Sequence, residues 1–294
     1  MQLDYTSLAA LLAAAEAAGK PLSELVLAQQ AEELELPPEQ VYDRMARRYA
    51  VMAESAEQGC DPALRSASGL TGGSAAKMKA AVEAGRSLTG PVLGAALTRA
   101  LAVSELNAAM GRIVAAPTAG SCGILPAALL TMEREKGCSR HACIMALFTA
   151  SAVGLVIARN ACLAGAQGGC QAECGSAAAM AAAALVQMLK GTPKQALDAA
   201  AIALSNLLGL VCDPVGGLVE VPCQNRNAIG VACAFSSAQL ALSGIESLVP
   251  FDEMAKVMLA VGHAMPSSLR ETAKGGIATA PSALAACARC GTCA

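Results

Sequence analysis

From residue 6 to residue 58, apolar and polar positions recur at helical spacing, and three amphipathic segments stand out. "TSLAALLAAAEAA" (6–18) predicts a helix with Thr6 or Ser7 as its N-cap. "LSELVLAQQAEEL" (22–34) predicts a second, entered through Pro21. "PPEQVYDRMARRYAVMAESAEQG" (37–59) predicts a third, with proline at its start and Gly59 at its end. From about residue 90 the texture changes, and long alanine-rich apolar stretches alternate with glycine-rich joints. Helices are predicted over 90–110, 141–158, 175–190, 194–210, 228–247 and 252–264. β-branched alternation is scarce, so no strand set is expected. The expected fold is all-α: one large domain over 1–294, its central helices buried on most faces. Residues 1–60 would form an N-terminal helical segment of it, and 277–294 a flexible, cysteine-rich tail.

The joints carry more chemistry than the helices. They are "SASGLTGG" (66–73), "APTAGSCG" (116–123), "GAQGGCQAECG" (165–175), "GLVCDPVGGLVEVPCQNRNAIG" (209–230) and "RETAKGG" (270–276). Each joins glycine to hydroxyls, thiols or an amide. Loops between rigid helices are a common way to assemble a site.

Composition narrows the classes. The chain has 294 residues, enough for a core that needs no staples. Formal net charge is −2, aromatics are 2% and there is no Trp, which argues against nucleic-acid binding and base-stacking platforms. Hydrophobic residues make up 55%. The most apolar run, Ala142 to Ala158, falls just short of the roughly 20 residues of a membrane span and is largely Ala, Ser, Thr and Gly. The start "MQLDYTSLAA" has an early Asp and no basic region, unlike a signal peptide. The expectation is a cytoplasmic protein without a membrane partner. In that compartment disulfides are disfavoured, so 13 cysteines ask for a metal, a cluster, or use of Cys as a small apolar residue.

"GCQAECG" (169–175) sets Cys170 and Cys174 around Glu173: a metal site, a redox pair, or two core residues. Cys212 and Cys223 bracket a turn with Pro214, Gly216 and Gly217, a spacing that fits zinc poorly. With only His141 and His263 in the chain, a His-rich metal site is excluded. The tail "CARCGTCA" places Cys287, Cys290 and Cys293 in a C-x2-C-x2-C run, part of a ferredoxin-like pattern that lacks its fourth Cys and Pro. It supports an alternative reading, an iron–sulfur electron-transfer or cluster-carrier protein.

The stretches "NAAMGRIVAAPTAGSCGILPA", "GGCQAECGSAAAMAAAALV", "GLVCDPVGGLVEVPCQNRNAIG" and "LRETAKGG" resemble the iron–sulfur-dependent L-serine dehydratases, nearest to the α chain of the two-subunit form. The resemblance covers the chain from its N-terminal helices to the 270s. It implies a lyase that converts L-serine to pyruvate and ammonia, using a 4Fe-4S cluster held by Cys170, Cys212 and Cys223, with one iron left open to substrate. No pyridoxal phosphate is implied. A partner β chain is implied, bringing a His-containing loop, so the general base is expected from outside this chain. His141 and His263 read as capping or surface residues. The chain departs from the family pattern at Cys174 and Cys122, where small or apolar residues are usual, and at Ala164, where a serine is expected.

On their own, the Ser, Thr and Gly of the first two joints read as caps and turns. With the resemblance they become substrate ligands: hydroxyls of Ser68, Thr71, Thr118 and Ser121, and backbone N–H groups of Gly72, Gly73, Ala119 and Gly120, all suited to a carboxylate. Asn225 joins the set, with Arg226 holding substrate, tuning the cluster or serving structure, and Lys77 reads as an exposed helix lysine. Cys293, or failing it Cys290, is expected to cap the open iron when serine is absent.

Overall fold

"SAAAMAAAALVQM" has seven alanines in thirteen residues and no charge. A helix apolar on every side has to be buried on every side, and this one is the centre of the protein. In the computed structural model, which describes residues 7–290, every residue of Ser176–Met188 except Gln187 is buried.

Thirteen α-helices lie among the described residues: α1 (Leu8–Ala18), α2 (Leu22–Glu33), α3 (Pro38–Gln58), α4 (Ser74–Glu83), α5 (Gly90–Ala108), α6 (Ile124–Lys136), α7 (Arg140–Asn160), the single turn α8 (Gly165–Gly168), α9 (Ser176–Met188), α10 (Pro193–Ser205), α11 (Cys223–Leu242), α12 (Phe251–Ala264) and α13 (Pro281–Cys290). No strand occurs among them, so the all-α expectation holds. Helices α6, α7, α10 and α11 pack around α9. Small side chains let them close in: a Cβ on Gly154 of α7 would lie 3.0 Å from the sulfur of Met180. Helix α7 is long and apolar enough to cross a membrane, yet 67% of its most apolar stretch is buried inside the fold, as in a core helix.

The N-terminal helices belong to the same body. Ser7 caps α1 by accepting from Ala10 N–H at 3.3 Å; Thr6 lies outside the described residues. The Asp252 carboxylate of α12 receives Leu8 N–H (2.9 Å), Ala9 N–H (3.0 Å) and the Ser7 hydroxyl (2.9 Å). A negative charge at a helix N-terminus is where the helix dipole favours it. Helices α2 and α3 pack against α7.

The helix boundaries differ from the sequence expectation in ways that matter to the site. The stretch expected over 228–247 begins five residues earlier, at Cys223, and ends at Leu242. The one expected over 194–210 stops at Ser205. Helices α4 and α6 were not expected. Helix α6 has no apolar period because Ile124 to Met132 is buried on all sides; its marks are Arg134 and Lys136 in the last turn and Gly137 at the left-handed C-cap. Within the expected flexible tail, Pro281 opens helix α13, which packs on Val215–Gly217 and Gly276–Thr279. Cys293 lies outside the described residues.

Where α3 ends, its backbone rests on α5: a Cβ on Gly59 would lie 1.9 Å from the Ala102 carbonyl oxygen. Gly59→Ala should therefore destabilise the protein by about 3 kcal/mol, the upper part of the usual range for overpacking. Chemical denaturation measures it, and a change below about 0.5 kcal/mol, ordinary for surface positions, would show that the two helices are not so close.

Candidate active site

Five joints come together through hydrogen bonds between their side chains and backbones. At the start of α9 the chain makes one widened π turn, Gln171–Gly175, preceded by Cys170. Gly169 there has φ +75°, and a Cβ would lie 2.5 Å from the Met265 sulfur and 2.8 Å from the Leu210 carbonyl oxygen, so only glycine fits. Gln171, fully buried, donates to the Met258 carbonyl (2.9 Å) and accepts from Gly209 N–H (2.9 Å). These bonds hold the backbone on which the Cys170 and Cys174 thiols meet, Sγ to Sγ 3.4 Å.

The hydrogen bond between the two thiols, aided by the Arg226 guanidinium, lowers the pKa of Cys170 against the effect of burial, while Cys174 is pushed well up.

Cys212 lies between α10 and α11. Its N–H donates to Leu269 O (2.9 Å) and its carbonyl accepts from Glu271 N–H (2.7 Å), which ties it to the last joint. Arg226 clamps the same segment, donating to Val211 O and to Asp213 Oδ1, both at 2.8 Å. Asp213 is nearly fully buried and its second oxygen accepts from Ile277 N–H at 2.8 Å. Cys223 is the first residue of α11. Burial pushes the Cys223 thiol up to about 12, with Cys170 and Glu173 adding to it. Burial likewise raises Cys212, with Glu173, Cys170, Glu271 and Cys223 adding. These shared influences place the three thiols in one electrostatic neighbourhood, with Glu173 among them.

Glu173 is the chemical group that the sequence motif held and the sequence reading left without a role. Its Oε1 accepts from the Thr118 hydroxyl at 2.7 Å. Two glycines lie against its carboxylate: a Cβ on Gly120 would be 2.8 Å from Oε1, and one on Gly165 2.9 Å from Oε2 and 2.8 Å from the Cys212 sulfur. Burial raises its pKa, and the Thr118 bond opposes that. The carboxylate and the Cys212 thiol thus face one glycine-walled space.

The expected substrate residues fall into two groups. Thr118 meets Glu173 as described; Ser121, wholly buried, lies behind it at 3.2 Å, Oγ1 to Oγ. Ala119 is exposed beside them, and Gly120 is buried. Ser68 and Thr71 both donate to a second carboxylate, Glu220, at 2.7 Å each, and Gln224 donates to Thr71 at 2.9 Å. Gly72 and Gly73 turn the chain into α4, whose first N–H groups, Ser74 and Ala75, are taken by the Glu105 carboxylate at 2.7 and 3.1 Å. Asn225 is exposed, whereas Asn227, two residues on, is fully buried. Asn227 joins the 116–123 loop to the first turn of α11: it accepts from Gly123 N–H (2.8 Å) and donates to Gly120 O (2.7 Å) and Cys223 O (2.9 Å).

His141 lies outside the site, its Nδ1 3.1 Å from the Tyr42 hydroxyl, and His263 is exposed on α12. Lys77 is exposed on α4. Cys122 is fully buried against Val103 O at 3.9 Å, a core position. Among the described residues no three His, Cys, Asp or Glu side chains converge on a single ion position. Ligands of one ion must all reach it within about 2.3 Å. The three buried thiols come from two joints, Cys170 from 165–175 and Cys212 and Cys223 from 209–230, and thiolates that hold an iron–sulfur cluster bind different irons and so stand further apart than the ligands of one ion.

The chain matches the family described as serine dehydratase alpha chain over residues 17–278. It is 47% identical over 260 residues to a probable L-serine dehydratase, alpha chain, of Bacillus subtilis (strain 168), covering 88% of this chain and 86% of that one. It is 56% identical over 194 residues to the L-serine dehydratase, alpha chain, of Peptoniphilus asaccharolyticus, 66% of each chain. Against the L-serine dehydratase of Streptomyces coelicolor it is 44% identical over 181 residues, 61% of this chain but 40% of that longer one.

Asn227 is the tie between the Thr118 loop and the first turn of α11. Asn227→Ala orphans Gly123 N–H and Gly120 C=O in a dry interior and should cost about 3 kcal/mol in denaturant titration, with turnover falling alongside. Asn225→Ala, on the exposed side, should leave stability within about 0.5 kcal/mol. Equal stability losses from the two would remove Asn227 from this role.

Proposed function

We propose that this chain, which belongs to the serine dehydratase alpha chain family, deaminates L-serine to pyruvate and ammonia through a 4Fe-4S cluster held by Cys170, Cys212 and Cys223. The family makes it a lyase acting on serine. The observation that carries the cluster reading is the donor set: three buried thiols from two joints, of which Cys212 lies with the Glu173 carboxylate against Gly165. When bound, the cluster supplies an iron with an open position, a Lewis acid for the substrate hydroxyl.

The chain's own residues do the rest. Cys174 and the Arg226 charge lower the pKa of Cys170, the direction that ligation by a thiolate favours. Arg226 and Asp213 hold the backbone around Cys212 at a fixed place. Thr118, Ser121 and the N–H groups of Ala119 and Gly120 orient the substrate carboxylate. Ser68, Thr71, Gly72, Gly73 and Asn225 complete that side of the pocket. Glu173 Oε2, turned from Thr118 toward Gly165, lies on the side of the Cys212 thiol, and burial raises the pKa of this carboxyl. Loss of the α-proton and the β-hydroxyl leaves aminoacrylate, which tautomerises to the imine and hydrolyses to pyruvate and ammonia. The base that takes the α-proton comes from a separate β chain, consistent with the α-chain relatives. Cys293, or failing it Cys290, would hold the open iron when serine is absent.

The test is pyruvate formation from serine by anaerobically reconstituted protein, with and without the β chain. Cys170→Ala, Cys212→Ala and Cys223→Ala should each abolish the brown absorbance and turnover, and Cys174→Ala should largely spare both. Loss of the absorbance in Cys174→Ala with retention in Cys170→Ala would reverse the ligand choice. Activity should also decay in air and return with Fe(II) and thiol under anaerobic conditions. Full activity after prolonged aerobic treatment with a chelator would end the cluster reading.

A further inference from the structure

Four arginines outside the site share one groove. Arg44, Arg47 and Arg48 lie on α3 at i, i+3 and i+4, with Val51 at i+7 continuing the same face. Arg112 lies opposite, in the segment after α5, with Ile113 and Val114. Together these seven residues line a groove of about 420 Å³. All four arginines are exposed, and none makes an ion pair or hydrogen bond among the described residues. Other cations of the chain do: Arg99 pairs with Glu135 at 2.7 Å and Lys194 with Asp198 at 2.8 Å. A chain of net charge −2 thus gathers four unneutralised positive charges in one place, where they repel one another.

The groove is not purely ionic. Val51, Ile113 and Val114 contribute apolar surface, and Met110, at the head of the same segment, is 82% exposed at φ +63°. Arginine and methionine beside aliphatic side chains is the composition of protein interfaces. The position also matters. The segment that forms one wall runs from Val114 through Ala116 and Pro117 into Thr118, which bonds Glu173. Whatever seats on this groove abuts the loop that enters the site.

We propose that this groove docks an acidic segment of the β chain, two or more carboxylates flanked by an apolar residue, and so sets the partner against the Thr118 loop. The proposal rests on the two-chain reading above. Docking neutralises charges that have no partner in the α chain, and it places the partner beside a site to which this chain supplies no histidine.

Binding, not turnover, tests it. Anaerobically reconstituted α chain is titrated with β chain by calorimetry or sedimentation at low and high NaCl. R47E/R48E should raise Kd at least about 30-fold, the effect of a hot spot, and flatten its salt dependence. Arg112→Gln, on the other wall, should weaken binding in the same direction. R86E/K256E, which changes net charge equally at exposed positions elsewhere, should shift Kd less than about 3-fold, as surface charges outside an interface do. Thermal melts of the free α variants confirm folding. Equal effects of the two double variants, no effect of R47E/R48E, or no association between the wild-type chains would overturn the proposal. So would inorganic pyrophosphate binding to wild type but not to R47E/R48E while β affinity stays unchanged, which would make the groove a free-anion site. If the wild-type complex binds as expected but makes no pyruvate, the functional reading fails and the docking result stands.

Discussion

Alanine at the centre is the constraint from which the rest follows. A run such as Ala181–Ala184, wholly buried, presents almost no side chain to hold neighbours apart. Helices α6, α7, α10 and α11 therefore approach α9 closely, and the interior is filled by backbone as much as by side chains. Close approach gives rigidity, since a packed interior at crystal-like density has little room to give. It also dictates glycine where helices touch, as at Gly59 and Gly154. The joint leading into α9 carries Cys170, Glu173 and Cys174. Their positions are fixed because the helix behind them cannot shift without opening the core.

That rigid frame holds more buried charge than a small core tolerates unaided. Asp213, Glu220 and Glu105 are nearly inaccessible. Burying a carboxylate is favourable only where donors replace water, and each has them. Asp213 has Arg226 and Ile277 N–H; Glu220 has Ser68 and Thr71; Glu105 has the first two N–H groups of α4. The Arg226 bond closes the 209–230 joint on itself, and the others join segments 30 or more residues apart. The carboxylates act as staples between joints, and the thiols inherit their placement from them. Glu173 differs: Thr118 is its one donor among the described residues, and its second oxygen faces the thiols.

The helical fold was legible because periodicity and its absence both carry information. Charged α3 showed its period, while α9 could be identified as interior from having none. What stayed hidden were helices whose burial erased the period, such as α6, and the true start of α11. There the residues Cys223 to Asn227 read as loop chemistry, yet they form a first helical turn. The glycine-hydroxyl joints were legible as polar loops, and the structure brings them together, but spacing could not say which polar residue faces outward and which bonds another joint. Asn225 and Asn227 have the same side chain two positions apart, and helical geometry turns one outward and the other inward. Ser68 and Thr71 looked like carboxylate ligands, and a carboxylate does occupy them, that of Glu220 from 149 or more residues away. A single sequence cannot show that pairing, because it exists only once the joints have met.

The two adjacent thiols of the α9 joint show how local geometry separates identical residues. Cys170 and Cys174 are four positions apart and both nearly inaccessible, so neither burial nor residue type distinguishes them. The difference lies in direction. Across their 3.4 Å hydrogen bond the two pKa values move opposite ways: Cys174 and the Arg226 charge lower that of Cys170, while Cys170 and burial raise that of Cys174. An apolar residue at 174 would leave Arg226 as the side chain that lowers the pKa of Cys170. Surroundings thus separate two identical residues: Cys174 meets only burial and the groups that raise its pKa, Cys170, Glu173 and Cys223, whereas Cys170 also has a guanidinium acting on it.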